Sequence, residues 1–171
     1  MTHEIQEANA RYAGKIDIRE TGQYGWGLFA LCDFQPGALV MRGRAIESGP
    51  TKDAHTVQTD WNTHAIMDLP ARFVNHVCNE ANLGIKKNDV GAYDFHALKE
   101  IGASEELLWD YETSEYEIEG FVCSCGKPSC RGELRGFRHH ANEIISSYGE
   151  DYVAPYRRKK PLENHDDDAS L

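Results

Sequence analysis

The 171-residue sequence lacks any apolar run of the roughly 18 residues that a membrane-spanning helix needs. Its opening stretch, MTHEIQEANARYAGK, has no apolar core of the kind a cleaved secretory signal carries, so no such signal is expected. Basic residues are in deficit: 18 Lys and Arg stand against 28 Asp and Glu, a formal charge of −10. That deficit argues against direct nucleic-acid binding and suits a basic partner such as a Lys-rich peptide. Internal repeats are missing. Cysteines are few, and their number, five, is odd, which does not suit a disulfide framework. A reducing compartment, cytosol or nucleus, is expected, with no membrane association.

What is present is more specific. Three cysteines fall in one short string, CSCGKPSC, as Cys123, Cys125 and Cys130. Gly126 and Pro128 between them let the backbone turn sharply, so three thiolates can converge on one ion. Structural zinc takes four ligands at tetrahedral geometry, which calls for a fourth donor from elsewhere. Cys78, in the polar run NHVCNEAN, is the best candidate, with Cys32, His139 and His140 as rivals. Cys32 sits in the apolar run LFALCDF and reads as core.

Along the chain, residues 1–14 read as a loose arm or short helix. KIDIRE and YDFHALKEI alternate with period two, WGLFAL and ALVMRGRAI are short apolar runs, and Gln35-Pro36-Gly37 is a β-turn signal. The pattern predicts a mainly β domain. HHANEIISSY reads as a helix ending at Gly149. Arg157 to Lys160 read as a solvated charge run, with a nuclear signal as the alternative, and residues 161–171 as a disordered acidic tail.

Four segments then matter together: Gly25-Trp26-Gly27, the string RFVNHVC from Arg72 to Cys78, the string ELLWDY from Glu106 to Tyr111, and the cysteine cluster ending in Cys130-Arg131-Gly132. In order and type they resemble the SET-domain protein lysine methyltransferases that carry a post-SET zinc segment. The resemblance covers roughly residues 15–136. It implies small twisted sheets with a knot-like crossing, followed by a zinc segment and a short helix. The implied layout is an arm over 1–14, the SET domain over 15–117, the post-SET segment over 118–137, and a helical extension over 138–160. It further implies S-adenosylmethionine on one face and the substrate lysine entering from the other. Matched to the family's motifs, Gly25, Trp26, Gly27, Arg72, Asn75, His76 and Leu134 bind the cofactor, with Phe137 a neighbour in the same role. Tyr111 is the catalytic residue, and Trp109 lines the lysine channel. Cys78, Cys123, Cys125 and Cys130 hold one structural zinc, which ties the C-terminal segment to NHVC as a lid over the cofactor.

The implied activity is methyl transfer to a lysine side chain of a protein, a histone tail included. A small-amine methyltransferase or a non-catalytic cofactor- or peptide-binding module on the same scaffold are the alternatives. Trp109 stands where relatives carry Phe or Tyr. Having no hydroxyl to hold a water or the amine, it points to di- or trimethylation. Glu106 reads as a cap or ion-pair partner, and Asp110 as structural. Departures from the family pattern lie in Val77 and Ala81 of the NHVC segment, and in Met41-Arg42-Gly43-Arg44, where a channel Tyr is usual. Tyr24 or Tyr93 are the substitutes. Residues 45–70 look too short to build a peptide groove, which leaves the substrate surface open or completed by a second copy in a homodimer.

Overall fold

The computed structural model describes residues 2–22 and 25–158. The chain forms helix α1 (Thr2–Arg11), then strands β1 (Ile16–Glu20), β2 (Trp26–Ala30), β3 (Leu39–Arg42), β4 (Ala45–Gly49), β5 (Val57–Asp60) and β6 (Thr63–Met67). Strands β7 (Asn75–His76), β8 (Leu83–Lys87), β9 (Tyr93–Ala97), β10 (Leu108–Trp109), β11 (Phe121–Val122) and β12 (Glu133–Leu134) follow, and helix α2 spans Phe137–Tyr148. The strands make four small sheets: β1-β2, β3-β9-β8-β10-β7, β4-β6-β5 and β11-β12. A mainly β fold of small sheets with a C-terminal helix is what the sequence predicts.

The alternating strands obey the pleat, which turns successive side chains to opposite faces. In β1, Ile16 and Ile18 are buried while Asp17 and Arg19 are less so; in β9, Tyr93, Phe95 and Ala97 are fully buried around half-buried Asp94 and His96. Leu28, Met41, Leu83, Ile85 and Trp109 complete the centre of this core. At the Pro36-Gly37 turn, Gly37 takes φ +82° and the Ala38 N–H donates to the Gln35 carbonyl at 3.0 Å. Glycine alone adopts that φ without a Cβ penalty.

The N-terminal residues form a packed helix. Ile5 and Ala8, three apart on one face, enter the core, and Asn9 clamps β1 by accepting from the Ile18 N–H at 2.8 Å. Helix α2 begins at Phe137 and ends at Gly149, whose N–H donates to the Ile145 carbonyl at 2.8 Å with φ +75°.

Residues 45–70 fold into the three-stranded sheet β4-β6-β5, and the loop between β4 and β5 lines the central cleft. One expectation is overturned. Arg157 does not belong to a solvated run. It is buried at 8% exposure, with its guanidinium stacked 4.8 Å from the Tyr156 ring, 5.1 Å from Phe137 and 5.7 Å from Tyr116. The aromatic faces offset part of the cost of burying the cation. Lys159, Lys160 and the acidic tail lie outside the described residues.

Candidate active site and metal centre

The site grows from one strand placement. β10 lies between β7 and β8 and runs parallel to both, pairing Leu108 with Asn75 and Trp109 with His76. This sets ELLWDY directly beside RFVNHVC. Polar side chains pin the crossing. The Asn75 amide donates to the Trp26 carbonyl at 3.1 Å and to Glu106 Oε1 at 2.9 Å, so three separate segments meet on one side chain. Asn82 donates to the Glu106 carbonyl at 2.8 Å and accepts from the Leu108 N–H at 2.8 Å, holding β10 in register. Glu106 therefore serves as the acceptor of Asn75. Gly27 is needed for this packing: a Cβ there would stand 2.6 Å from Thr21 Cγ2 and 2.7 Å from Glu106 Oε1. Gly25 differs, with φ +77° and open space on its side.

Past β10 the chain turns into a one-turn 3-10 helix, Tyr111–Thr113, capped by Asp110, whose carboxylate accepts from the Glu112 N–H. The turn aims Tyr111 back at the strand before β7, where its hydroxyl donates to the Val74 carbonyl at 2.9 Å. Burial, with the negative charge of Glu106 adding to it, pushes the Tyr111 hydroxyl well above the usual phenol range. It therefore stays a neutral hydrogen-bonding group.

Tyr111 and Val74 face a cavity of about 180 Å³, walled also by Trp109, Leu134, Val57 and Glu115. Trp109 is 2% exposed, its ring 5.1 Å from that of Tyr111, and its indole N–H is turned away to Thr113 Oγ1 at 2.7 Å. Trp109 thus presents carbon to the cavity. Leu134 is fully buried where this cavity meets the cysteine cluster, and Arg72 is exposed at its edge. Phe137, the first residue of α2, packs against a second core that includes Ile144. Tyr93 is not a channel residue: it is fully buried in the main core and its hydroxyl donates to the Gln58 carbonyl at 2.6 Å. Tyr24 lies outside the described residues.

The cysteines converge as the spacing predicts. The sulfurs of Cys78, Cys123, Cys125 and Cys130 all lie within 4.8 Å of one another. The rivals are elsewhere: Cys32 packs against the main core, and His140 pairs with Glu112 at 3.0 Å. Burial pushes the Cys78 thiol up and raises Cys123 to about 11. At Cys125 burial pushes upward too, but hydrogen bonds from the backbone amides of Cys78 and Lys127 and from the Cys130 and Cys123 side chains together outweigh it and bring the thiol down to about 7. Four clustered thiols of this kind become thiolates together only around a cation, and four sulfur donors at this spacing fit zinc. The Cys123 N–H donates to the Gly132 carbonyl at 2.8 Å, closing the loop on β12.

The site holds a buried charge network that no local sequence pattern marks. Arg131, its side chain 4% exposed, donates through Nη1 and Nη2 to both Asp110 oxygens, at 3.1 and 2.8 Å. Nη1 also lies 2.7 Å from Glu112 Oε2, and Nη2 donates to Asn79 Oδ1 at 2.6 Å. Asp110 and Glu112 are both fully buried. Asp110 accepts further from the Tyr148 hydroxyl at 3.1 Å, and Glu112 from the backbone amides of Arg135 and Gly136. The carboxylates on either side of Tyr111 are thereby fastened to the residue after Cys130. Buried charges persist only when paired in this way.

With this geometry in place, residues 25–112 match the SET domain family, and the chain belongs to it. A Debaryomyces hansenii protein named "Histone-lysine N-methyltransferase, H3 lysine-4 specific" is 40% identical over 142 residues, 70% of this chain and 13% of the yeast protein. The match thus sits inside a much longer relative. Two crystal structures of KRYPTONITE share the fold. One, with mCHG DNA and SAH, gives a TM-score of 0.57 at 20% identity over 71% of this chain and 29% of KRYPTONITE. The other, with mCHH DNA, an H3(1-15) peptide and SAH, gives 0.53 at 21% identity over 70% and 29%.

Proposed function

We propose that this chain transfers a methyl group from S-adenosylmethionine to a lysine side chain of a protein, with a histone H3 tail as the first substrate to test. The observation that carries the reading is Tyr111. A neutral phenol is held by the Val74 carbonyl at the central cavity, beside the Asn75 crossing. The family membership, the yeast relative's name, and the peptide and SAH in the KRYPTONITE structures support the donor and acceptor classes.

The donor supplies a methyl carbon on a sulfonium sulfur. The lysine must arrive as a free amine, because an ammonium has no lone pair to attack that carbon. Displacement forms the N–C bond as the C–S bond breaks, the positive charge passes from sulfur to nitrogen, and the methylammonium so formed releases one of its own protons to solvent. The residues then divide the work. The Tyr111 hydroxyl donates to Val74, which leaves its oxygen lone pairs to accept an N–H of the amine and orient it. With its ionisation raised by burial, Tyr111 stays protonated and has no phenolate to take a proton, so it positions the amine. Gly25, with its open positive-φ backbone, and the neighbouring Trp26 and Gly27 would approach the donor's methionine end. Asn75, His76, Arg72 and Leu134 would line the rest of that face. Zinc in the four-cysteine centre would supply folding energy, binding β12 and the cluster loop to the NHVC segment.

The test is mass spectrometry of H3 tail peptide, core histones and free lysine incubated with labelled S-adenosylmethionine, with Tyr111→Phe as the control. Label on a protein lysine that the variant loses supports the reading. Label on free lysine alone would make the chain a small-amine methyltransferase, and label nowhere despite donor binding would make it a binding module.

A further inference from the structure

The cavity that holds Tyr111 has a second, chemically distinct feature on its wall. Glu115 is 7% exposed, and its two carboxylate oxygens are treated differently. Oε1 accepts from the Gln58 N–H at 2.6 Å and from the Ser114 hydroxyl at 3.4 Å, so the carboxylate is fixed in direction. Oε2 is buried and accepts no hydrogen bond. A buried carboxylate oxygen without a donor is costly. Buried Arg157 feels the Glu115 charge but does not donate to it: its guanidinium lies over the rings of Tyr116, Phe137 and Tyr156, and none of its three side-chain nitrogens makes a hydrogen bond.

The group in front of Oε2 is Lys52, from the loop between β4 and β5. Its Nζ stands 3.7 Å away, beyond hydrogen-bond distance, and donates to the Glu117 carbonyl. Lys52 is the removable partner of this pair: its side chain is 44% exposed, while that of Glu115 is 10% exposed. Both residues line the same cavity as Trp109 and Tyr111.

We infer that Glu115 is a recognition site for a cationic side chain, arginine or lysine, flanking the acceptor lysine of the substrate, and that Lys52 holds this place in the free protein. The inference rests on the methyltransferase reading for the word "acceptor" alone; the subsite is a binding claim. A substrate cation that donates directly to Oε2 gains the charge-assisted hydrogen bond that Lys52 does not make. Lys52 then swings to solvent at little cost, since it is already half out.

The experiment is fluorescence polarisation on the full zinc-loaded chain. The probes are nonapeptides with a central lysine, in which one flanking position at a time carries arginine, lysine or the neutral isostere citrulline. At one position, arginine or lysine should bind about tenfold tighter than citrulline, the scale of one charge-assisted contact. Glu115→Gln keeps the Oε1 acceptor and should erase that preference without changing citrulline binding. Lys52→Ala should tighten the charged peptides at that position and leave the citrulline ones unchanged. No charge preference at any position, or a preference that survives Glu115→Gln, overturns the inference. If Glu115→Gln does not fold by circular dichroism, Lys52→Ala decides, and unchanged affinity for the charged peptides overturns it. Methyl transfer is read separately on the same peptides. Charge preference without transfer sinks the methyltransferase reading and keeps the subsite; transfer without preference does the reverse.

Discussion

His76 joins the metal centre to Tyr111. Its Nε2 lies 3.2 Å from Cys78 Sγ, while its Nδ1 accepts the Tyr111 backbone N–H at 3.2 Å. The ring is buried, and burial pushes its pKa down despite the opposing charge of Asp110, so the imidazole is neutral. A neutral ring that accepts at Nδ1 carries its proton on Nε2, aimed at the sulfur. Partners of this kind orient a metal ligand and tune its affinity. His76→Ala should therefore weaken zinc retention by about 10–100-fold, measured by competition with a chromogenic chelator. It should lower turnover as well, since Tyr111 loses its backbone anchor. Unchanged zinc affinity would confine His76 to the Tyr111 side.

Zinc removal should act on more than the cluster. The four sulfurs join the NHVC segment to β11 and β12, and Leu134 packs between them and the cavity. Chelation, or Cys123→Ser, should abolish S-adenosylhomocysteine binding in calorimetry together with local order around residues 118–137 in hydrogen exchange. Full cofactor affinity in a zinc-free protein would refute the lid role.

Arg131 should be among the most sensitive residues in the chain. Removing it leaves two fully buried carboxylates, Asp110 and Glu112, without their cation. Breaking a buried pair from one side costs about 3–5 kcal/mol, so Arg131→Met should lower the denaturation midpoint sharply. Arg131→Lys should rescue only part of this, because an ammonium cannot meet both Asp110 oxygens in the bidentate way seen here.

The contrast between Arg131 and the cysteines shows what a sequence can disclose. The strings GWG, RFVNHVC, ELLWDY and CSCGKPSC place unusual residue types in unusual company, and local spacing is enough to single them out. The period-two runs of β1 and β9 are legible for the same reason, since the pleat repeats every second residue. Arg131 stands 21 residues from Asp110, and nothing local marks either as buried. Arg157 is hidden in the same way: two of the three rings that cover it, Tyr116 and Phe137, come from distant parts of the chain. The sheet β4-β6-β5 is not legible in this way because its strands do not alternate: β4 buries no residue fully, while β5 and β6 each bury two adjacent residues. Lys52, Glu115 and Gln58 meet only once that sheet is formed.

Trp109 should permit multiple methylation. Its single polar atom is taken up by Thr113, so Trp109 itself offers no hydroxyl or N–H to hold a water against the growing methylamine. Intact-mass analysis at exhaustive reaction should find two or three methyls on the target lysine. Trp109→Tyr should shift the product toward one. A wild-type reaction that stops at one methyl would show that the bulk of the indole governs instead.

The pH dependence of turnover separates the roles of the substrate amine and Tyr111. Attack needs the free amine, whose ordinary pKa is near 10.4, so kcat should rise with pH through the neutral and mildly alkaline range. If ionised phenolate were harmful, the rate would fall once Tyr111 lost its proton. Burial and Glu106 raise that ionisation above the ordinary phenol value of about 10, so no such fall should occur below about pH 10. Tyr111→Phe should lower kcat by about 10²-fold or more, because the hydroxyl contributes orientation and not proton removal. Its profile should keep the same rising limb. A variant whose rate became independent of pH would mean that Tyr111, and not solvent, takes the proton from the amine.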